Sequence, residues 1–330
     1  MKTLVTGGTG FTGSHLTRRL LDEGHDVHVI DASPGLFHDE LAQRGARIEL
    51  GTIEDRGFCR RALERAEPEV VFHLAAAFRQ LNVPERFYWN VNVEGTRHLA
   101  EAAADVGVRR FVYCSTQGVH GHIDEPPGDE TSPIAPEDYY QQTKYEGERV
   151  VQRLVRDRDL NAVTLRPTAI YGPGDPARFL MLYRMCRRGT FHMFGDGQTT
   201  YHPVYIDNLV DGFLAAAGAS DHKGRTYIVA DERYYTLNEL VQHVGASMGT
   251  PVRIRHWPFW PLYGTATCCE TLCRPVRVTP PLFRRRVDWF RQVRAFRIDR
   301  AREELGYQPR VGIERGLEQT ARWYRDHGYI

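Results

Sequence analysis

Tyr140 and Lys144 stand four residues apart in Tyr140-Gln141-Gln142-Thr143-Lys144, a spacing that sets both side chains on one helix face, one turn from each other. A phenol titrates near ~10 and is a poor base at neutral pH. A neighbouring ammonium favours the phenolate, and so would a cationic ring bound beside it, so such a pair is suited to taking the proton of an alcohol. Tyr and Lys at this spacing recur by chance. Their place after Ser115-Thr116, which ends an apolar run past the middle of the chain's first half, gives them weight.

A second set opens the chain. Thr6-Gly7-Gly8-Thr9-Gly10-Phe11-Thr12-Gly13 directly follows a short apolar run. Gly7 permits a tight turn, Gly10 lets backbone approach a pyrophosphate, and Gly13 lets the following helix pack on a sheet. The helix start offers free N–H groups and a partial positive charge to phosphates. Asp31 ends the next β-rich run, in Val29-Ile30-Asp31, and Ala32-Ser33 follow it with no cation. A carboxylate there accepts hydrogen bonds from the adenosine ribose and repels a 2′-phosphate, which favours NAD over NADP. The other reading of Asp31 is a turn or helix-capping aspartate.

The elements that must position these residues alternate regularly. Apolar runs at 3–6, 27–30, Arg47–Leu50, 70–74, Arg110–Cys114 and 162–165 lack strict alternation, as strands covered on both faces do. Helix-like segments lie between them, for example 15–24 and 93–106, the latter stopped by Gly107. The spacing predicts an α/β fold: a Rossmann-type doubly wound parallel sheet with a smaller C-terminal substrate-binding domain. Residues 1–170 with parts of 200–235 are expected to form the dinucleotide-binding domain, and the remaining segments of 171–330 the other. Past about residue 167 the pattern loosens into short pieces at 195–207, 225–230 and 252–257. Residues 257–283 carry five prolines among aromatic and cysteine residues and read as a lid or a packed irregular segment, with a membrane role as the lesser alternative. Helical patterns at 300–305 and 314–327 close the chain.

The 330 residues suffice for one large α/β domain with an appendage. With 43 basic and 42 acidic side chains there is no electrostatic reason to expect a nucleic-acid partner, and Arg284-Arg285-Arg286 reads as solvated surface. No stretch approaches the ~20 apolar residues of a membrane span. The start of the chain does not resemble a secretory signal, so a cytoplasmic location is expected. Cys59, Cys114, Cys186, Cys268, Cys269 and Cys273 lack C-x-x-C metal spacing and read as reduced, mostly buried thiols, with no metal site.

Taken together, the T-G-x-x-G-x-x-G loop and the Y-x-x-x-K pair resemble those of the extended short-chain dehydrogenase/reductases, the NAD-dependent epimerases and dehydratases. Further marks are His73-Leu74-Ala75-Ala76, Asn92-Val93-Glu94-Gly95-Thr96, Arg166-Pro167 with Tyr171-Gly172-Pro173, Tyr205-Ile206-Asp207-Asn208 and Leu305-Gly306-Tyr307-Gln308-Pro309, so the likeness spans nearly the whole length. The resemblance implies that Thr116 bonds the reacting oxygen, that Tyr140 is the base, and that Lys144 orients the ribose and lowers the tyrosine's pKa. It implies cofactor contacts from Gly7, Gly10, Phe11, Thr12, Gly13 and Asp31. Thr52 and Ile53 would lie near adenine, with Leu74, Ala75 and Ala76 lining the cofactor, Asn92 supporting it and Pro167 beside the nicotinamide. For Ala75 and Ala76 close packing is the alternative role. His73 reads as a satisfied core histidine, and Cys114 as a buried strand residue.

Departures from the family pattern bear on the substrate. Gln117-Gly118 stand where the 4,6-dehydratases carry an Asp-Glu pair, and neither transfers a proton, which argues against dehydration. Ala169 and Tyr201 replace the Asn and the diphosphate-gripping Arg of sugar-nucleotide epimerases. Arg178, Arg184, Arg187 and Arg286 are substitutes or plain surface charges. The segment 165–174 also resembles the hydroxysteroid-dehydrogenase branch, and the aromatic stretch 257–283 is either an apolar cover for such a substrate or core. Three readings follow: a nucleotide-sugar epimerase that returns its hydride, placed narrowly first; an NAD-dependent oxidoreductase acting on an apolar β-hydroxy substrate; and an idle NAD-binding regulator, against which Thr116, Tyr140 and Lys144 all argue. A small-molecule substrate and, from the family, a homodimer are expected.

Overall fold

Seven short strands, their apolar side chains largely buried except on the edge strand β3, carry the molecule: β1 (Lys2–Thr6), β2 (Asp26–Asp31), β3 (Arg47–Leu50), β4 (Val70–His73), β5 (Arg110–Cys114), β6 (Ala162–Pro167) and β7 (Thr226–Val229). In the computed structural model, which describes residues 1–78, 83–176, 178–219, 221–273, 280–282 and 284–330, they lie in the order β7-β6-β5-β4-β1-β2-β3, every neighbouring pair parallel. The order reverses between β1 and β4. In a doubly wound sheet that switch point opens a crevice at the strands' carboxyl ends, where ligands bind. The segment 226–229, which the sequence gives only as one of several short pieces, is the strand that extends this sheet beside β6.

Helix boundaries differ from the periodicity in instructive ways. The first helix, α1 (Phe11–Asp22), starts four residues before the apolar pattern does, because Gly13 and Ser14 are buried without being apolar. The segment read as 93–106 is two elements, a π-helical turn at Asn90–Gly95 and then α2 (Thr96–Asp105). Gly107, at φ 69°, provides the expected stop. Residues 259–273 form one exposed helix rather than an irregular segment; Pro261 is tolerated because it falls in the first turn. Residues 274–279 and 283 of that stretch lie outside the described residues, as does residue 177 next to the arginines weighed above.

A third core, distinct from the two that sandwich the sheet, gathers Tyr171, Phe179, Tyr183, Tyr205, Leu240 and Leu317. Asn208 ties it to the end of the chain: its Oδ1 accepts from the backbone N–H of Arg310 and Val311, and its Nδ2 donates to Val311 O and Asp231 Oδ1. Asp231 is buried, and also accepts from the Tyr205 N–H at 2.9 Å, while Tyr171 stands beside its other oxygen without a full hydrogen bond. Burial pushes its carboxyl up to about 7 against those stabilising bonds. An unfolded aspartate releases its proton near ~4, so the folded state holds the extra proton between about 4 and 7 and loses stability as pH rises through that window. Asp231→Asn keeps the shape and the acceptor but removes the charge. Denaturant titrations at several pH values are expected to show the variant gaining on the wild type from pH 4 to 7, by on the order of 4 kcal/mol; parallel curves would refute this.

The cysteines depart in part from expectation. Cys59 and Cys186 are buried, and burial pushes each thiol up to about 12. Cys114, Cys269 and Cys273 are only half-buried and Cys268 is exposed, because the last three ride on a helix that packs little against the rest. Among the described residues all six thiols are free and no group of three or more His, Cys, Asp or Glu side chains is placed to hold a metal.

Candidate active site

The glycine loop closes tightly at the switch point. Gly7, at φ 68°, donates its N–H to Ile30 O, and a Cβ built on it would lie 2.9 Å from Ala75 N. One on Gly13 would lie 2.1 Å from Gly7 O. The loop therefore lies edge to edge with Leu74-Ala75, and only hydrogen fits at either position. Gly10 caps α1 without a side-chain hydrogen bond, leaving the first N–H groups of the helix for a ligand. This bare, Cβ-free cradle fits the pyrophosphate of a dinucleotide. Phe11 and Thr12 sit half-buried on the first turn, with Phe11 edge-on to His15.

Asp31 does structural work at this loop. Its Oδ2 accepts from Thr9 N (3.0 Å) and Thr9 Oγ1 (2.7 Å), and its Oδ1 from Ala32 N (2.8 Å). Oδ1 keeps a lone pair, so capping the loop and accepting from a ribose are compatible. Thr52 is exposed and turns back on Glu54, while Ile53 is buried against Gly95, whose Cβ would meet Ile53 Cγ1 at 2.7 Å.

His73 is the satisfied core histidine that was expected. Thr96 Oγ1 donates to Asn92 O (2.8 Å), so it must accept from His73 Nε2 (2.9 Å); His73 Nδ1 then accepts from Thr6 Oγ1 (2.8 Å), which accepts from Ala75 N (3.0 Å). Complete burial holds the imidazole well below its ordinary pKa, in keeping with this neutral tautomer. The chain locks the Leu74–Ala76 loop to the π-turn that holds Asn92.

From that turn the buried Asn92 bridges the Ala77 backbone and the helix that carries Thr143. Its Oδ1 accepts from Ala77 N (2.8 Å), and its Nδ2 donates to Ala77 O (3.2 Å) and Thr143 Oγ1 (3.0 Å). Thr143 belongs to α3 (Tyr139–Arg158), capped by Asp138 through Gln141 N. Gly147 lets α3 approach closely: a Cβ there would lie 2.3 Å from the Tyr113 hydroxyl. Lys144 is thereby fully buried, its ammonium 4.4 Å from the Tyr113 ring centroid. Desolvation brings its pKa down to about 8, against the opposing pull of Cys114 and Glu148. Tyr140, one turn earlier, is half-buried with its ring 4.9 Å from that of Phe78.

Thr116 caps a 3-10 turn, Gln117–His120, its Oγ1 accepting from Gly118 N at 3.1 Å. That bond uses an oxygen lone pair and leaves the hydroxyl hydrogen to donate. The turn rests on α3, since a Cβ on Gly118 would meet Gln141 Cγ at 3.0 Å. Underneath, Arg166 forms a buried two-point ion pair with Glu148 (2.9 and 2.6 Å) and donates to His120 Nε2, whose Nδ1–H is shared by Ser132 O and Pro133 O. This network fixes the turn to α3 and β6, which ends in the buried Pro167. The structure thus joins both Asn92 and the Thr116 turn to the helix that carries Tyr140 and Lys144.

Phe78, Tyr113, Glu148 and His120 were not singled out from the sequence. The signal for Tyr113 was available: a large aromatic just ahead of the hydroxyl pair on β5, under the helix that carries the lysine. Phe78 follows an alanine run and has no local signature.

The sequence profile of the NAD dependent epimerase/dehydratase family matches residues 3–230. With this match covering most of the chain, the protein belongs to that family, and NAD is its cofactor. It is 31% identical to a UDP-glucose 4-epimerase of Mycolicibacterium smegmatis over 99% of both chains. It is 30% identical to a 2-alkyl-3-oxoalkanoate reductase of Stenotrophomonas maltophilia, over 97% of this chain and 98% of the other. The solved structure of a dTDP-glucose 4,6-dehydratase from Streptomyces venezuelae, with NAD bound, superposes with a TM-score of 0.79 at 27% identity, covering 99% and 97%.

Proposed function

We propose that the protein is an NAD-dependent oxidoreductase of an apolar β-hydroxy substrate, working towards the ketone or back from it. The observation that carries this reading is Tyr201. It stands where the family's epimerases grip a diphosphate with arginine, and here the position is buried and aromatic, with Phe179 and Trp289 rings 6.4 and 6.2 Å away. An aromatic corner offers no two-point donor to phosphate and favours apolar surface. Phe78, largely exposed against Tyr140, adds a second apolar wall. The likeness to a 2-alkyl-3-oxoalkanoate reductase supports the same substrate class.

In this reading Thr116 donates its hydroxyl hydrogen to the substrate oxygen and so fixes the carbinol against Tyr140. Tyr140 takes the hydroxyl proton on Oη. The buried Lys144 ammonium stabilises the phenolate that must exist for this step. NAD, when bound, supplies the acceptor for the hydride of the same carbon, so the alcohol loses one proton and one hydride and becomes a ketone. Pro167 and Ala75 close the cofactor's surroundings, and the cytoplasm and a homodimer are the expected setting.

The nucleotide-sugar epimerase, first in the sequence reading, keeps two supports: the 31% identity to such an enzyme and Arg294, whose backbone pairs with Tyr201. The Arg294 guanidinium, however, donates to Gln292 and lies 3.6 Å from Glu137, which already balances its charge. The two readings differ in cofactor traffic. Denaturing the purified protein and assaying released NAD is expected to give little, and NADH is expected to appear only when NAD and a medium-chain 3-hydroxy substrate are both added. Stoichiometric tightly held NAD, with UDP-glucose and UDP-galactose interconverted in the absence of added cofactor, would establish the epimerase instead.

A further inference from the structure

The helix α4 (Phe259–Cys273) contradicts an ordinary rule of globular packing. It is mainly apolar, with its apolar side chains spread round more than one face, yet Ala266 is its only buried residue, while Trp260 is 72% and Leu272 75% exposed. A helix that is hydrophobic all round is normally enclosed, and within the described residues this one is not.

Its polar groups are already satisfied internally. The hydroxyls of Thr265, Thr267 and Thr271 donate to the carbonyls four residues back, at Pro261, Tyr263 and Thr267. Glu270, its single charged residue, is held by the backbone N–H and Nε of Arg284, each at 2.7 Å. Such bonding hides polarity from the surroundings, as an apolar solvent requires. Phe259, Trp260 and Tyr263 cluster at the start of the helix, and the amphipathic rings of Trp260 and Tyr263 are of the kind that prefer a membrane interface. Around it the sequence is strongly basic: residues 251–294 hold nine arginines against Glu270 and Asp288, in a chain whose overall net charge is +1. Arg253 and Arg255 are exposed on the strand that leads into the helix.

We infer that α4 is a docking element for an anionic lipid surface, seated in one leaflet with the exposed Arg253 and Arg255 of the strand before it against the headgroups. At about 22 Å it is too short to cross, and no described helix is long and apolar enough to do so. The charge complementarity selects lipid over a second copy of this chain, whose own Arg253 and Arg255 would meet like charge. Docking also places the active site. The segment after α4 sets Arg291 5.4 Å over the Tyr263 ring, then bonds Gln292 and Arg294 to Glu137, three residues ahead of Tyr140. The lip of the cleft thus lies beside the docked helix, where an apolar substrate would partition; this last point rests on the oxidoreductase reading, whereas docking itself does not.

The test is flotation of the full-length protein, without substrate, on phosphatidylcholine vesicles with and without phosphatidylglycerol. Flotation is expected with the anionic vesicles, weakened by salt, and reduced about tenfold or more in the double variant Trp260→Glu, Leu272→Glu. Both side chains are exposed, so the melting temperature and NAD binding are expected to stay put. Quenching of wild-type tryptophan fluorescence by brominated lipid provides a check independent of the variant. Absence of flotation and quenching, or equal flotation of the variant, would overturn the proposal. So would a soluble dimer that the variant splits, since the face would then join two copies of the chain.

Discussion

Tyr140→Phe is expected to lower kcat by about 10²- to 10⁴-fold, the span associated with loss of a positioned general base, while NAD affinity changes little. The substitution removes one oxygen and leaves the ring, so the contact with Phe78 at 4.9 Å and the Thr143 bond to the Tyr140 carbonyl survive. Lys144 remains buried over Tyr113 and the cradle at Gly7–Gly13 is untouched. The measurement is turnover with a secondary alcohol, set beside NAD titration by protein fluorescence. Turnover within a few-fold of wild type would show that another group takes the proton. Loss of NAD binding in parallel would show that Tyr140 serves the cofactor and not the chemistry.

Gly13→Ala is expected to act in the opposite order, on the cofactor first. The new Cβ would stand 2.1 Å from Gly7 O and 2.7 Å from Gly8 Cα, both backbone atoms that have no rotamer to escape into. Gly7 in turn is held by its bond to Ile30 and its contact with Ala75, so the loop cannot retreat without opening the switch point. A loss of roughly 3 kcal/mol or more in stability is expected, at the upper end of ordinary point changes, and NAD binding is expected to fall below detection at millimolar cofactor. The melting temperature with and without NAD reads both effects. As a control, Gly24→Ala alters a glycine with nothing within 4 Å but φ +75°, so it strains a turn while sparing the cofactor shift. A Gly13→Ala protein that melts normally and is still stabilised by NAD would remove the cradle from the cofactor site.

The sequence alone settled much of this protein. The βα rhythm and glycine loop carried the parallel sheet, because covered strands and a phosphate-binding turn demand residue types that are visible one at a time. The Tyr140–Lys144 spacing carried the helix face. Asp31 was legible as a loop-end carboxylate, though its hold on Thr9 was not, since that bond joins residues 22 apart. What tertiary structure decided is whatever depends on distant partners. The direction of the Thr6–His73–Thr96 chain, the Arg166–Glu148–His120 network beneath Thr116 and the lowered pKa of Lys144 all arise where separate elements bury polar groups against one another. The π-turn that aims Asn92 leaves no mark in periodicity, because one extra residue in a turn looks like ordinary helix. Nor does the exposure of residues 259–273, since an apolar run reads the same whether the chain covers it or leaves it bare.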